Sequence, residues 1–327
     1  MRKTRVILTV DTEPSVAGAM ADRERHPPIF EEPVWGEVDG KSEALGFMTR
    51  TLQAFEIPAT FFVETVHTGH FGTDPMGRRA QHLAQQGQDV QLHIHPVWRN
   101  FRPDAPPAPV DDNSAEMSVE ALSALIDEGC DAIEQWTGRR PVAMRTGNFD
   151  AGLDVYRAMA RSGLTLASNL CIANRDYAES QLQIAGGVRH IEGVTELAVN
   201  CFRDPGPLGR NRYRALQVTA CSGAELAHLL RVAHAQSAGT VVIVTHPFEY
   251  LKRDDFRYSN LRPNRMVQQR LARLCHFLCE NENSFEVTTF AELAATEALP
   301  EQDAPRLRGA LGLSVTRAAQ NFLNDRF

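Results

Sequence analysis

The chain has 327 residues, 43% of them hydrophobic, and a formal net charge of −7. That length supports one large domain or two small ones with a real core. The acidic balance argues against a dedicated nucleic-acid binder, which carries a basic stripe.

No apolar run approaches the roughly 20 residues of a membrane helix. The opening "MRKTRVILTVDTEP" starts basic, but its apolar stretch is too short for a signal peptide, so a cytoplasmic location is expected. The six cysteines are scattered with no CxxC pair and read as reduced thiols, with Cys275 and Cys279 as packing residues.

In chain order, strand-like runs alternate with amphipathic helical ones. Val6–Val10 reads as a strand, residues 41–55 as a helix, and "ATFFVE" (59–64) as a second strand. A helix over 77–87 and a strand over 89–96 follow. Residues 118–138 form a strong helix, with Ser118 as N-cap and Gly138 just past its end. "PVAMRTG" is a short strand, 152–163 a helix and "LTLAS" a strand. Residues 170–220 are less regular, with a short strand "TELAV" and a loop near 203–214. Then come a helix over 223–236, a buried strand over 239–247, the helix "VQQRLARLCHFLCEN", the strand "FEVTTF" and a short helix "AELAATEAL". Such alternation predicts parallel strands joined by right-handed helical crossovers, in a barrel or an open sheet. No GxGxxG or GxxxxGK[ST] motif occurs, so a dinucleotide or P-loop site is not indicated.

Residues 300–327 read as a helical appendage to a catalytic body over 1–299. Leu307, Leu311, Val315, Ala318 and Phe322 form an apolar stripe that is expected to bury against the body or against a second copy, a homo-oligomer.

In α/β folds the chemistry sits at the C-terminal ends of parallel strands. Four predicted strands end in reactive groups: Asp11-Thr12-Glu13, His93-Ile94-His95, Arg145-Thr146-Gly147-Asn148, and His246. Side chains two apart on a strand share a face. Asp11 therefore joins Glu13, and His93 joins His95. Two imidazoles and a carboxylate on neighbouring strand ends make a facial ligand set for zinc, cobalt, nickel or iron. Glu64 and Asp89 are the candidates to orient the imidazoles. The remaining carboxylate is placed to take a proton from water, His246 to give one, and Arg145 to anchor the base or the substrate. His67 and His70 stand as spare ligands.

The order of these motifs resembles the polysaccharide deacetylase family, carbohydrate esterase family 4, over roughly residues 4–296. "LTVDTEP" stands where the family has a strand ending TFDDG; "ATFF", "GQDVQLHIHP", "RTGNF" and "VIVTHP" follow in the family's order. The resemblance implies a distorted (β/α)7-type barrel, a divalent metal, usually zinc, and hydrolysis of an N-acetyl group on an amino sugar. It implies Asp11 as catalytic base, His93 as a metal histidine, Arg145 as the residue orienting the base, and His246 as catalytic acid. Trp98 and Asn148 are the expected substrate contacts. Three departures stand out. Thr12 replaces the family's second aspartate, so Glu13 is given the ligand role. The histidines are two apart rather than four, with Val97 at the usual second position, so His95 is given the other. Gly147 replaces the RxPxG proline. The alternatives are a hydrolase of another C–N bond in a small molecule, such as a cyclic ureide, and a binding protein on a degenerate deacetylase scaffold.

Overall fold

A computed structural model of the chain describes residues 2–106, 108–205, 212–296 and 299–326. Its centre is a curled sheet of nine strands among those residues. They are β1 (Thr4–Thr12), β2 (Thr60–Glu64), β3 (Asp89–Ile94), β4 (Ala143–Thr146), β5 (Leu166–Ala167), β6 (Val188–Ile191), β7 (Val194–Leu197), β8 (Thr240–Thr245) and β9 (Phe285–Val287). The spatial order is β8-β1-β2-β3-β4-β5-β7-β6, with β9 beside the start of β1. Every pairing is parallel except the β6–β7 hairpin.

The curl is that of a half-barrel. Between β7 and β8 no ladder forms; the extended backbone at Asn200 and Leu216 bridges the gap, with Asn200 N–H donating to Val242 and Val244 N–H to Leu216. The expected irregular loop near 203–214 is partly an antiparallel hairpin, Cys201–Asp204 against Arg212–Ala215, and residues 206–211 lie outside the described residues. Residues 297 and 298 of the expected helix "AELAATEAL" lie outside them too; its described part is helical over Phe290–Ala294.

Alternation along the strands sorts side chains into two layers. Val6, Leu8 and Val10 of β1, Phe61 and Val63 of β2, Leu92 of β3 and Ile243 of β8 face outward into the main core. The helices Leu45–Ala54, Asp74–Gln85, Val119–Thr137, Leu153–Arg161, Gly223–Ala235 and Arg265–Glu280 cover that face. Ile7, Phe62, Ala143, Val242 and Val244 face inward into a second cluster. Both faces are therefore dry, which is why the strands read as continuous apolar runs. Helix ends are set locally. Ser118 Oγ accepts the N–H of Ala121 at 3.2 Å, and Gly138 takes the left-handed conformation (φ 73°) that closes the Val119–Thr137 helix; such a cap is worth about 1 kcal/mol.

The C-terminal helix, Leu311–Arg326, does not bury its apolar stripe against the body, the first of the two expected partners. It docks by its polar face. Ser314 Oγ donates to Asp204 (2.7 Å), Arg317 lies buried between Asp204 and Glu225, and Arg270 donates to Asn321 (2.6 Å). Of the apolar stripe only Leu307, which precedes the helix, buries in the core. Leu311, Val315 and Phe322 are 59%, 61% and 56% exposed. A buried arginine joining two buried carboxylates sets the face by which this helix docks, because either charge left unpaired there would be costly.

Candidate metal centre and active site

The inward face of β1 runs Ile7, Thr9, Asp11 and then Glu13, so the site's carboxylates continue the alternation that packs the interior. Asp11 meets Arg145 from β4, whose Nη1 donates to Asp11 Oδ1 at 2.6 Å. Three further bonds fix the guanidinium: Nη1 to Thr9 Oγ1 (2.9 Å), Nε to the Ser168 carbonyl (2.9 Å) and Nη2 to Ser168 Oγ (2.7 Å). Its carbon lies 4.4 Å from the Phe62 ring centroid. Arginine is required here because only a planar fork reaches all these acceptors at once.

Glu13, His93 and His95 converge. One ligand atom from each lies within 4.8 Å of the others. His93 Nε2 is 3.2 Å from Glu13 Oε2, and His95 Nε2 meets the same oxygen. The opposite nitrogens face pure acceptors: His93 Nδ1 the Arg145 carbonyl (2.8 Å), His95 Nδ1 the Asp112 carboxylate (2.6 Å). A carbonyl or carboxylate only accepts, so each Nδ1 carries a hydrogen, and a cation displacing any Nε2 proton that faces Glu13 would leave both rings in the Nδ1–H tautomer. That tautomer is the one a metal needs, so the donor set fits a divalent ion of the zinc type. Burial pushes the Glu13 carboxyl up, but His95 and His93 outweigh it and hold it well below the usual carboxylate range. Burial pushes His95 down, yet Glu13 and Asp112 hold it well above the ordinary imidazole value.

His246, at the end of β8, faces Asp11 from the other side, Nε2 to Oδ2 at 3.6 Å. Its Nδ1 lies 3.0 Å from Glu249 Oε1 within a one-turn capping box, and its ring stacks on Phe248. Burial pulls His246 down, but Glu249 and then Asp11 raise it to about 9.

Trp98, expected to meet substrate, is only 2% exposed and packs among His67, Phe71 and Phe101 while contributing to the wall of the cleft. Asn148 stands in the left-handed region (φ 55°) and donates to Asp112 at 2.7 Å, so it holds the residue that holds His95. Neither Glu64 nor Asp89 touches the imidazole of His93 or His95. Glu64 accepts from His67 Nδ1 (2.6 Å) and from the His95 backbone N–H (3.3 Å). Asp89 sits at the opposite end of β3, bound by Thr60 and Gln91. His67 is wholly buried outside the ligand group, and His70 packs on Phe71 and Phe101.

No protein-family model and no curated protein matches the sequence. Solved structures do. One described as a "putative polysaccharide deacetylase" from Mycobacterium smegmatis is 17% identical, with a TM-score of 0.53 over 92% of this chain and 93% of that one. The chain has the polysaccharide deacetylase fold. A carbohydrate esterase family 4 pseudoenzyme from Bacillus anthracis is 11% identical, with a TM-score of 0.44 over 94% of this chain and 70% of that one. A mutant of a peptidoglycan deacetylase from Bacillus subtilis is 12% identical, with a TM-score of 0.42 over 100% of this chain and 98% of that one.

On this deacetylase fold, two of the chain's departures from the family pattern explain each other. A Cβ added at Gly147 would fall 2.2 Å from His95 Nδ1. Glycine at 147 is therefore the condition for a histidine at 95 to lie there. Val97 is buried, and its backbone N–H donates to Asp112 instead (3.3 Å). The Thr12 hydroxyl is buried with no hydrogen-bond partner. Sequence reasoning missed Asp112, Ser168 and Glu249. Glu249 alone had a signal, the His-x-x-Glu spacing of a capping box.

Proposed function

We propose that the chain is a metal-dependent hydrolase that removes an N-acetyl group from an amino sugar or glycan precursor. The observation that carries this reading is the pairing of a clamped carboxylate with an opposed imidazole. Asp11, pinned by Arg145, and His246, oriented by Glu249, flank the Glu13-His93-His95 set. Those three residues would hold a divalent ion, zinc first, with cobalt, nickel or iron as alternatives. When bound, the ion supplies Lewis acidity toward an acyl carbonyl and lowers the pKa of water. Arg145 keeps one oxygen of Asp11 occupied and leaves Oδ2 to take a proton from the attacking water. As the water oxygen bonds to the acyl carbon, His246 Nε2 gives its proton to the departing nitrogen. The C–N bond breaks, and acetate and a free amine leave. The raised His246 is protonated at neutral pH, as this role needs.

A second reading, hydrolysis of a C–N bond in a small molecule, is favoured by the cleft itself. It has a volume of about 250 Å³ and is walled by Pro14, Val16, Pro33, Phe248 and Tyr258, which suits a small ligand. Elemental analysis of the wild type and of Glu13→Ala and His95→Ala tests both readings. About one ion per chain, lost in both variants, is expected. No ion after reconstitution would turn the reading to a binding protein on the same fold. Acetate release from N-acetylated sugars against ammonia release from small ureides separates the two hydrolases.

A further inference from the structure

The cleft above Glu13 has one charged wall that the proposed chemistry leaves unused. Arg253 lines it, next to Phe248, Tyr258 and Ser15. Its guanidinium carbon lies 4.0 Å from the centroid of the Tyr258 ring, which fixes the cation's place without cancelling its charge. Among the described residues no carboxylate comes within ion-pair distance of it, although two follow it directly in sequence. Asp254 pairs with Arg262 (2.6 Å) and accepts from Asn260 (2.9 Å). Asp255 accepts the backbone N–H groups of Arg257 (2.8 Å) and Ser259 (3.1 Å). Both neighbouring carboxylates are thus spent inside their own loop.

The loop is also fastened in place. Arg257 Nη1 donates to the carbonyls of Ala17 (3.0 Å) and Pro27 (2.6 Å), in the segment that follows the cleft residues Pro14, Ser15 and Val16. Tyr258 has φ 62°, a strained conformation for an aromatic residue, at the position whose ring lies under Arg253. The acidic residues that line the same cleft, Glu13 and Asp112, are engaged by His93 and His95. The cleft therefore holds one unmatched cation on a rigid, strained support.

We propose that Arg253 recognises an anionic group, a carboxylate or a phosphate, on the substrate. The hydrolysed molecule is then an acidic amide rather than a neutral one. This rests on the hydrolase reading above and adds to it a substrate class. A planar guanidinium takes either oxyanion through two parallel N–H bonds.

The test uses the full-length protein loaded with zinc. Calorimetry measures binding of alkyl hydroxamates and of their ω-carboxy and ω-phosphono counterparts of graded length. At one length, an acidic hydroxamate should bind about tenfold more tightly than the neutral one, the gain expected of one charge-assisted hydrogen bond. R253Q should bring that ratio to about one, and R253K should keep part of it. The better of the two acidic series identifies the oxyanion. No acidic preference in the wild type, or the same preference in R253Q, would overturn the inference. If the protein takes up zinc and binds neutral hydroxamates alone, the hydrolase reading stands and Arg253 loses its role. If no zinc is taken up, both fall together.

Discussion

Arg145→Met is the most informative single change. Arg145 is wholly buried and donates four hydrogen bonds, to Asp11, Thr9 and twice to Ser168. Methionine fills a similar length and donates none. Asp11, 3% exposed, then loses its hydrogen-bonded cation and keeps only His246, 3.6 Å away. Removing one partner of a buried ion pair costs about 3–5 kcal/mol, because the other charge stays desolvated. The orphaned Ser168 carbonyl adds about 1–3 kcal/mol. We expect a loss of about 4 kcal/mol or more, a large part of the roughly 5–15 kcal/mol that holds a domain folded. Asp11→Asn should cost less, since Arg145 keeps its other three acceptors. Urea unfolding of both single variants and the double variant closes a cycle. The double variant should be about 1–3 kcal/mol more stable than the sum of the singles predicts. Metal content should persist in Arg145→Met, because His93 leans on the Arg145 carbonyl and not on its side chain. Costs that add to within about 0.5 kcal/mol would refute the coupling of Asp11 to Arg145 on which the base assignment depends.

Asp112→Ala removes the acceptor of His95 Nδ1 and should weaken zinc affinity about 10–100-fold, read by competition with a chelator. With His246, raised to about 9, as the proposed acid, activity should fall as pH climbs through about 9. Glu249→Gln removes the carboxylate that raises it most and should move this basic limb of kcat/KM down by about one unit or more; a limb that stays put would remove His246 as the proton donor. Arg317→Met leaves buried Glu225 without its cation, while Asp204 keeps Arg214 (3.1 Å), and should cost about 3 kcal/mol. Hydrogen exchange should show protection lost first in the Leu311–Arg326 helix, and unchanged protection there would refute the role given to Arg317 in holding it.

The chain's own order of residues determined the parallel strands, their covering helices and the end of the sheet where Asp11, Glu13, His93, His95, Arg145 and His246 gather. These are legible because a strand buried on both faces must be apolar throughout, and because caps such as Ser118 and Gly138 act within a few residues. The even spacing of Asp11 and Glu13, and of His93 and His95, carried their common face for the same local reason. What Asp112 does was not legible. It lies in a proline-rich loop without periodicity, and only folding brings it to His95, with Asn148 from the next strand end behind it. Gly147 reads as a lost proline until the space beside it is seen to belong to the His95 ring. The C-terminal helix shows the limit most plainly. Its apolar stripe left the body and a second copy open as partners, and toward the body the helix sets Arg317 instead, whose two carboxylates come from positions 92 and 113 residues away. Periodicity along one helix records what that helix would prefer to bury; which face wins depends on charges that only the tertiary structure sets opposite it.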